Sequence, residues 1–290
     1  MCGDGVGFAL MAVISISLFA ILYLLLSKTY IKIITRKKGS AKVNYKGNHS
    51  KESSQFGALL KKEMRKFFGT PAYLLNCSLS SIFLTIGAVL VIIKWEMFST
   101  LSAVEGFSDY LPAIVCVGVA VISAMNAVTA PSISLEGKNI WILQSLPIDT
   151  FSILKAKLAL HYIITAPFAT IMSIICAIAI KANALEFIMI LLSPSIVIIL
   201  FGALGLFFNL KMPNLNWDNE TVVIKQSMSV LMVMLSSLVV FLVLSGIFFG
   251  LSKVMNTQIC LFLSLLLLSV FMVLLLVWLK KKGTEIFRNL

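Results

Sequence analysis

The sequence predicts an all-α membrane protein with seven transmembrane helices, its N-terminus outside and its C-terminus inside, and one amphipathic interfacial helix. Three observations carry that expectation. First, 59% of the 290 residues are hydrophobic and 12% are charged, with a mean hydropathy of +1.01. A soluble chain carries about 45–50% and about 25% respectively, so too little charge is present to coat a globule, a disordered tail or a fibre. Second, seven long stretches contain no Asp, Glu, Lys or Arg: 5–27, 67–93, 110–135, 158–180, 187–210, 226–252 and 254–279. Third, the charges between these stretches sort strongly by side.

Each stretch exceeds the roughly 20 residues that a helix needs to cross about 30 Å of hydrocarbon. Barrel strands are excluded because they alternate over about 10 residues, and runs such as Leu261 to Leu276 do not. The segment 28–66 holds twelve Lys and Arg against Glu52 and Glu63, and basic loops stay on the cytoplasmic side. Alternating sides from there puts only Lys94, Lys181 and Lys253 outside, with Asp4, Glu96, Glu105, Asp109 and Glu186. The net charge of +12 therefore serves topology and contact with anionic headgroups; no nucleic acid partner is implied.

Residues 1–27 lack the basic start and small-residue cleavage site of a signal peptide. This first span has no earlier span to orient it. It reads as the last span of a missing N-terminal half, and the chain as the C-terminal part of a longer protein. The five cysteines are scattered and form no CxxC pair, so neither disulfides nor a zinc site is expected. No HExxH, GxSxG or phosphate-binding loop occurs, and no cofactor is expected. His161 reads as a packing or interfacial residue. The spans carry neutral polar groups such as Asn76 and Asn126 but no charge. Charged residues inside spans mark ion and proton pathways, so energy for any transport would enter from elsewhere. Pro167 and Pro194 are expected to kink their helices, and Gly246 with Gly250 to permit close helix approach.

Two segments on the basic side stand out. Residues 54–68 place Phe56, Leu59, Leu60, Met64, Phe67 and Phe68 at helical spacing, with Lys61, Lys62, Arg65 and Lys66 opposite. This predicts a helix in the inner headgroup layer, ended by Gly69, Thr70 and Pro71. It is either a juxtamembrane anchor or an elbow that tilts as the spans rearrange. The loop 130–157 keeps Ile140, Trp141, Ile142, Leu143 and Leu146 among polar residues. Such a cluster needs the membrane interface or a partner protein to cover it. Pro147 ends the segment, and Asp149 or Thr150 can cap a helix whose Lys155 and Lys157 meet the membrane boundary. The loop 211–225, with Pro213 and Trp217, reads as a polar connector or a second contact surface.

The order Glu136, Gly137, Ile140, Leu143, Leu146, Pro147, Ile153, Leu154, Lys157 resembles the cytoplasmic loop of ABC type-2 exporter permeases. Ala156 stands where that family has Gly before the Lys, and Lys138-Asn139 replaces a Gly-Thr region. The stretches 59–76 and 211–227 are similar to a bacterial branch of the same family. The resemblance implies a permease in a bacterial plasma membrane that exports its cargo and performs no covalent chemistry, and a separate ABC ATPase as partner. It makes Glu136, Gly137, Ile140, Trp141, Leu143, Leu146, Pro147 and Lys157 a coupling loop. It also makes the elbow helix one built on Leu60, Met64, Arg65 and Phe67. Residues 72–290 become a six-span unit, 28–71 a basic linker with the elbow, and 1–27 an extra preceding span. A second permease half or a homodimer partner would complete the path among the membrane lipids. Two other classes remain open: a membrane-embedded lipid-modifying enzyme, with Glu96, Glu105 and Asp109 as candidates, and a non-catalytic assembly or immunity protein.

Overall fold

The computed structural model describes residues 5–34, 54–101, 103, 104 and 106–290. The basic linker over 35–53, with His49 and Glu52, and also Cys2, Asp4 and Glu105, lie outside the described residues. The chain divides into two compact units, Met1–Glu52 and Ser53–Leu290.

Among its described residues the first unit holds one helix, α1 (Gly5–Ile34). Three of its hydroxyls donate to carbonyls of the preceding turn, Ser15 to Met11 at 2.8 Å, Ser17 to Ile14 at 2.8 Å and Thr29 to Leu25 at 2.6 Å, the local bonding that a lipid-facing helix favours.

The second unit starts with α2 (Gln55–Gly69), capped by Ser54, whose hydroxyl accepts from Gly57 N at 3.1 Å. Thr70 is extended before Pro71, the backbone that a following proline imposes, and it separates α2 from α3 (Pro71–Cys77). A bend of 43° at Ser78 joins α3 to α4 (Leu79–Ile93). Then follow α5 (Trp95–Leu101), α6 (Leu111–Ala124), the short α7 (Ile140–Ser145), α8 (Thr150–Ala179) and α9 (Ala184–Lys211). Asn183 and Glu186 form a capping box on α9. The chain closes with α10 (Glu220–Gln226), α11 (Met228–Ser252), α12 (Thr257–Trp278), a π-turn, and α13 (Thr284–Arg288).

Among the described residues, five helices are long and apolar enough to cross a membrane, or six with α3 and α4 as one bent span. The protein is an all-α, multi-pass membrane protein. The stretch 110–135 does not form one continuous helix. Regular α-helix stops at Ala124, and the eleven residues beyond it fold into buried turns. Those residues are uncharged yet rich in Ser, Thr, Asn and Pro, which compete for backbone hydrogen bonds or lack a donor. A cut based on charge alone cannot see that difference.

Helix α9 is the hub, packed by α6, α8, α11 and α12, while α4 and α2 lie against α8. Small residues let α9 approach closely. A methyl group at Gly202 would meet the His161 ring at 2.7 Å, and one at Gly205 would meet Ala130 N at 2.9 Å. His161 is thus a buried packing residue. Both Pro167 and Pro194 lie inside continuous helices. Among the described residues, nothing lies within 4 Å of a methyl group added at Gly246 or Gly250.

Candidate functional site

One end of the bundle gathers α2, the segment 125–149, the C-terminal ends of α9 and α12, and α13. The segment 125–137 is almost wholly buried without regular helix. Its backbone polar groups must therefore find partners inside the protein, and side chains from five neighbouring segments supply them. Asn209 Oδ1 accepts from Ile133 N at 2.7 Å and Ser134 N at 3.1 Å. Asn209 Nδ2 donates to Ser134 Oγ at 2.6 Å and to Ser229 Oγ at 3.3 Å, and Ser229 Oγ donates to the Ala130 carbonyl at 2.9 Å. Tyr73 donates to Val128 O, Trp217 Nε1 to Ser134 O at 2.7 Å, and Lys66 to Leu135 O at 2.7 Å.

An ion cluster fastens the same segment to α2 and α8. Lys157 Nζ sits 3.0 Å from Glu63 Oε1, 2.7 Å from Glu136 Oε1 and 2.9 Å from the Ser132 carbonyl. Lys62 reaches Glu136 at 2.7 Å and Glu63 at 3.3 Å, and Lys66 reaches Glu136 Oε2 at 3.3 Å. Lys157, Glu63 and Glu136 are all buried. Burial would push the Glu136 carboxyl up, but Lys157, Lys66 and Lys62 together outweigh it and hold it well below the usual carboxylate range. Burial lowers the Lys66 ammonium, with Glu136 opposing. Three ammoniums meeting two carboxylates leave no vacancy for a cation. Among the described residues no group of three His, Cys, Asp or Glu could hold a metal ion.

Gly137 adopts φ +56°, and a methyl group there would meet the Trp217 ring at 3.1 Å. Gly137→Ala combines a left-handed backbone penalty of roughly 1–2 kcal/mol with displacement of Trp217. The expected result is a lower thermal midpoint of the purified protein. An unchanged midpoint would show that the turn is not constrained.

Beyond Gly137 the chain turns outward, and the residues expected to form a coupling loop divide into two sets. Ile140 and Leu143 point into the core, whereas Trp141 is 62% exposed, Ile142 46% and Leu146 39%. Leu146 is extended before the exposed Pro147, and Asp149 caps α8 by accepting from Phe151 N at 3.3 Å. The outward tip is held from below: Gln144 Nε2 donates to Phe287 O at 2.8 Å, Arg288 Nε donates to Thr150 Oγ1 at 2.9 Å, and Phe287 is fully buried.

Several residues stand elsewhere than expected. Lys157 does not meet the membrane boundary; it is enclosed by protein, while Lys155 lies over the Phe151 ring. On α2, Leu59, Glu63 and Phe67 are buried and Leu60 and Met64 pack against the cluster around Phe67, so most of the apolar face covers protein, while Phe56 and Phe68 stay exposed. Arg65 and Lys61 stay exposed, but Lys62 and Lys66 turn back to Glu136. Glu63 went unnoticed as a site residue. Its signal was available: it lies four residues from both Leu59 and Phe67, on the apolar face. The connector 211–225 clasps Gly137 and Ser134 through Trp217, which the composition of the loop does not reveal.

The buried ions of this arrangement pair with one another. What it provides is a stiff root under a small apolar tip. Comparison with protein-family models, curated proteins and solved structures gives no match.

Proposed function

We propose that this chain is the membrane subunit of an ATP-driven exporter, an ABC type-2 permease of a bacterial plasma membrane. Its tip, Trp141, Ile142 and Leu146, docks on a separate ABC ATPase subunit. One observation carries the reading: an exposed apolar tip rises from a root fixed by Lys157, Glu136, Glu63 and Asn209. An apolar anchor on a rigid support loses little entropy on docking, which is what a contact that transmits force needs. Movement of the tip would act on α2 through Lys62, Lys66 and Glu63, on α8 through Lys157, and on α9 through Asn209. Nucleotide binding by the partner would then shift the spans between inward- and outward-facing states through differential contacts.

In this reading the topology is seven spans, N-terminus outside and C-terminus inside. The short helix α6 completes its crossing with the buried turns after Ala124, since non-helical backbone at membrane depth is tolerated where protein encloses it. A second permease half or another copy of the chain, surrounded by lipid, supplies the rest of the path. The chain performs no covalent chemistry and needs no cofactor.

The test is affinity purification from native membranes in mild detergent, with mass spectrometry of retained proteins and an ATP turnover assay. The natural chain is expected to retain a cassette ATPase. Trp141→Asp should lose it, and with it the turnover, by about thirtyfold, the size of a hot-spot truncation near 2 kcal/mol. Its thermal midpoint should not move, because Trp141 is exposed. Retention of the ATPase by Trp141→Asp, or its absence from the natural chain, would sink the reading.

A further inference from the structure

At the end of the bundle opposite the ion cluster, α6, α9, α11 and α12 surround a cavity of about 630 Å³. Phe107, Tyr110 and Phe248 line it together with the buried Val197 and Leu268. Its lining carries no charged side chain. Two of its hydroxyls are committed to their own helices: Ser193 donates to Ile190 O at 3.3 Å and Ser264 to Cys260 O at 2.8 Å. A water needs two to four polar partners, and beyond those two the lining adds only the hydroxyls of Tyr110 and Ser245. The rim residues Ile114, Val117 and Phe249 are exposed, so the cavity opens sideways to whatever surrounds the apolar helices. Its volume falls within the range of about 300–1,000 Å³ usual for small-molecule sites.

We propose that this cavity binds a long hydrocarbon chain of an amphiphile, with the polar head left beside Tyr110. Shape and chemistry argue for this occupant over a protein segment. A helix side chain or two would leave most of the volume empty, whereas a flexible chain fills an irregular apolar space. The Tyr110 ring meets Phe248 edge-on at 6.5 Å between centroids, an aromatic pair suited to a boundary where one side is apolar and the other wet. The site is independent of any ATPase and can be examined without one.

Gly118 lines the cavity, and a methyl group added there meets nothing within 4 Å. Gly118→Leu therefore fills the space and replaces a mid-helix glycine with a better helix former, leaving the fold intact. The full chain in phosphatidylcholine nanodiscs would be photolysed with palmitate carrying a diazirine on its chain, and separately with a diazirine phosphatidylcholine. Adducts would be mapped by mass spectrometry. Helix α1, exposed over its described side chains apart from half-buried Ala12, serves as the internal measure of bulk lipid contact. Adducts over 107–120 and 261–268 should exceed those on α1 by about tenfold, a preference of 1.4 kcal/mol. Excess unlabelled palmitate should compete them away, and Gly118→Leu should reduce them by a similar factor without lowering the thermal midpoint. Labelling by palmitate alone identifies a free single-chain amphiphile; labelling by both probes identifies a chain of a bilayer lipid. Adducts no denser than on α1 would overturn the proposal. So would cavity adducts that neither competitor nor Gly118→Leu diminishes, as would a cross-linked second copy of the chain in place of the probe.

Discussion

Lys157→Met is expected to destabilise the protein by about 3–5 kcal/mol, the range for removing one partner from a buried ion pair. The side chain of Lys157 is 0% exposed and spans two carboxylates. Its loss leaves Glu63 with only Lys62 at 3.3 Å, and frees the Ser132 carbonyl as well. The damage is the desolvation of stranded charge; the net worth of the pair is smaller. That distinction gives the prediction its sharper form. In the double variant Lys157→Met with Glu63→Gln, one stranded carboxylate becomes neutral, so the loss should be less than the sum of the two single losses. Thermal or denaturant unfolding in detergent would read the difference. Strict additivity would mean that the charges act independently and that no cluster transmits displacement between α2 and α8.

The membrane class of the fold was legible because it rests on quantities a single sequence contains, the length of apolar runs and the spacing of charges. The amphipathic face of α2 was legible for the same reason, and so were the breaks at Thr70 and Pro147, where backbone chemistry is local. The pairing of Glu63 with Lys157 joins residues 94 apart, and nothing in the local pattern of either specifies it. A lysine at the start of an apolar helix ordinarily extends to the interface; here two carboxylates from other segments turn it inward. The end of regular helix at Ala124 was not legible because Asn126, Thr129 and Ser134 are as neutral as the residues before them. Their burial depends on Asn209, Tyr73 and Trp217, each distant in sequence. Gly246 and Gly250 show the converse: a motif with local form that meets nothing within 4 Å among the described residues.

Asn209→Leu is the second large effect expected, and it separates the root from the rest of the bundle. Asn209 is fully buried on α9 and serves two backbone N–H groups and two hydroxyls at once. Leucine approximates its volume but accepts nothing. Two buried donors left unmade, at about 1–3 kcal/mol each, predict a loss of roughly 2–5 kcal/mol. The loss should also be local. Hydrogen exchange should quicken over 130–137, while 188–200 on the same helix keeps its protection, because α9 retains its packing against α8 and α12. Asn209→Asp keeps the acceptor for Ile133 N and Ser134 N but gives up the amide donor and adds a buried charge. It should therefore protect 130–137 better than leucine does, even if its midpoint is no higher. Were both variants to leave exchange over 130–137 unchanged, Trp217, Tyr73 and Lys157 alone would hold the root, and displacement of the tip would not reach α9 through Asn209.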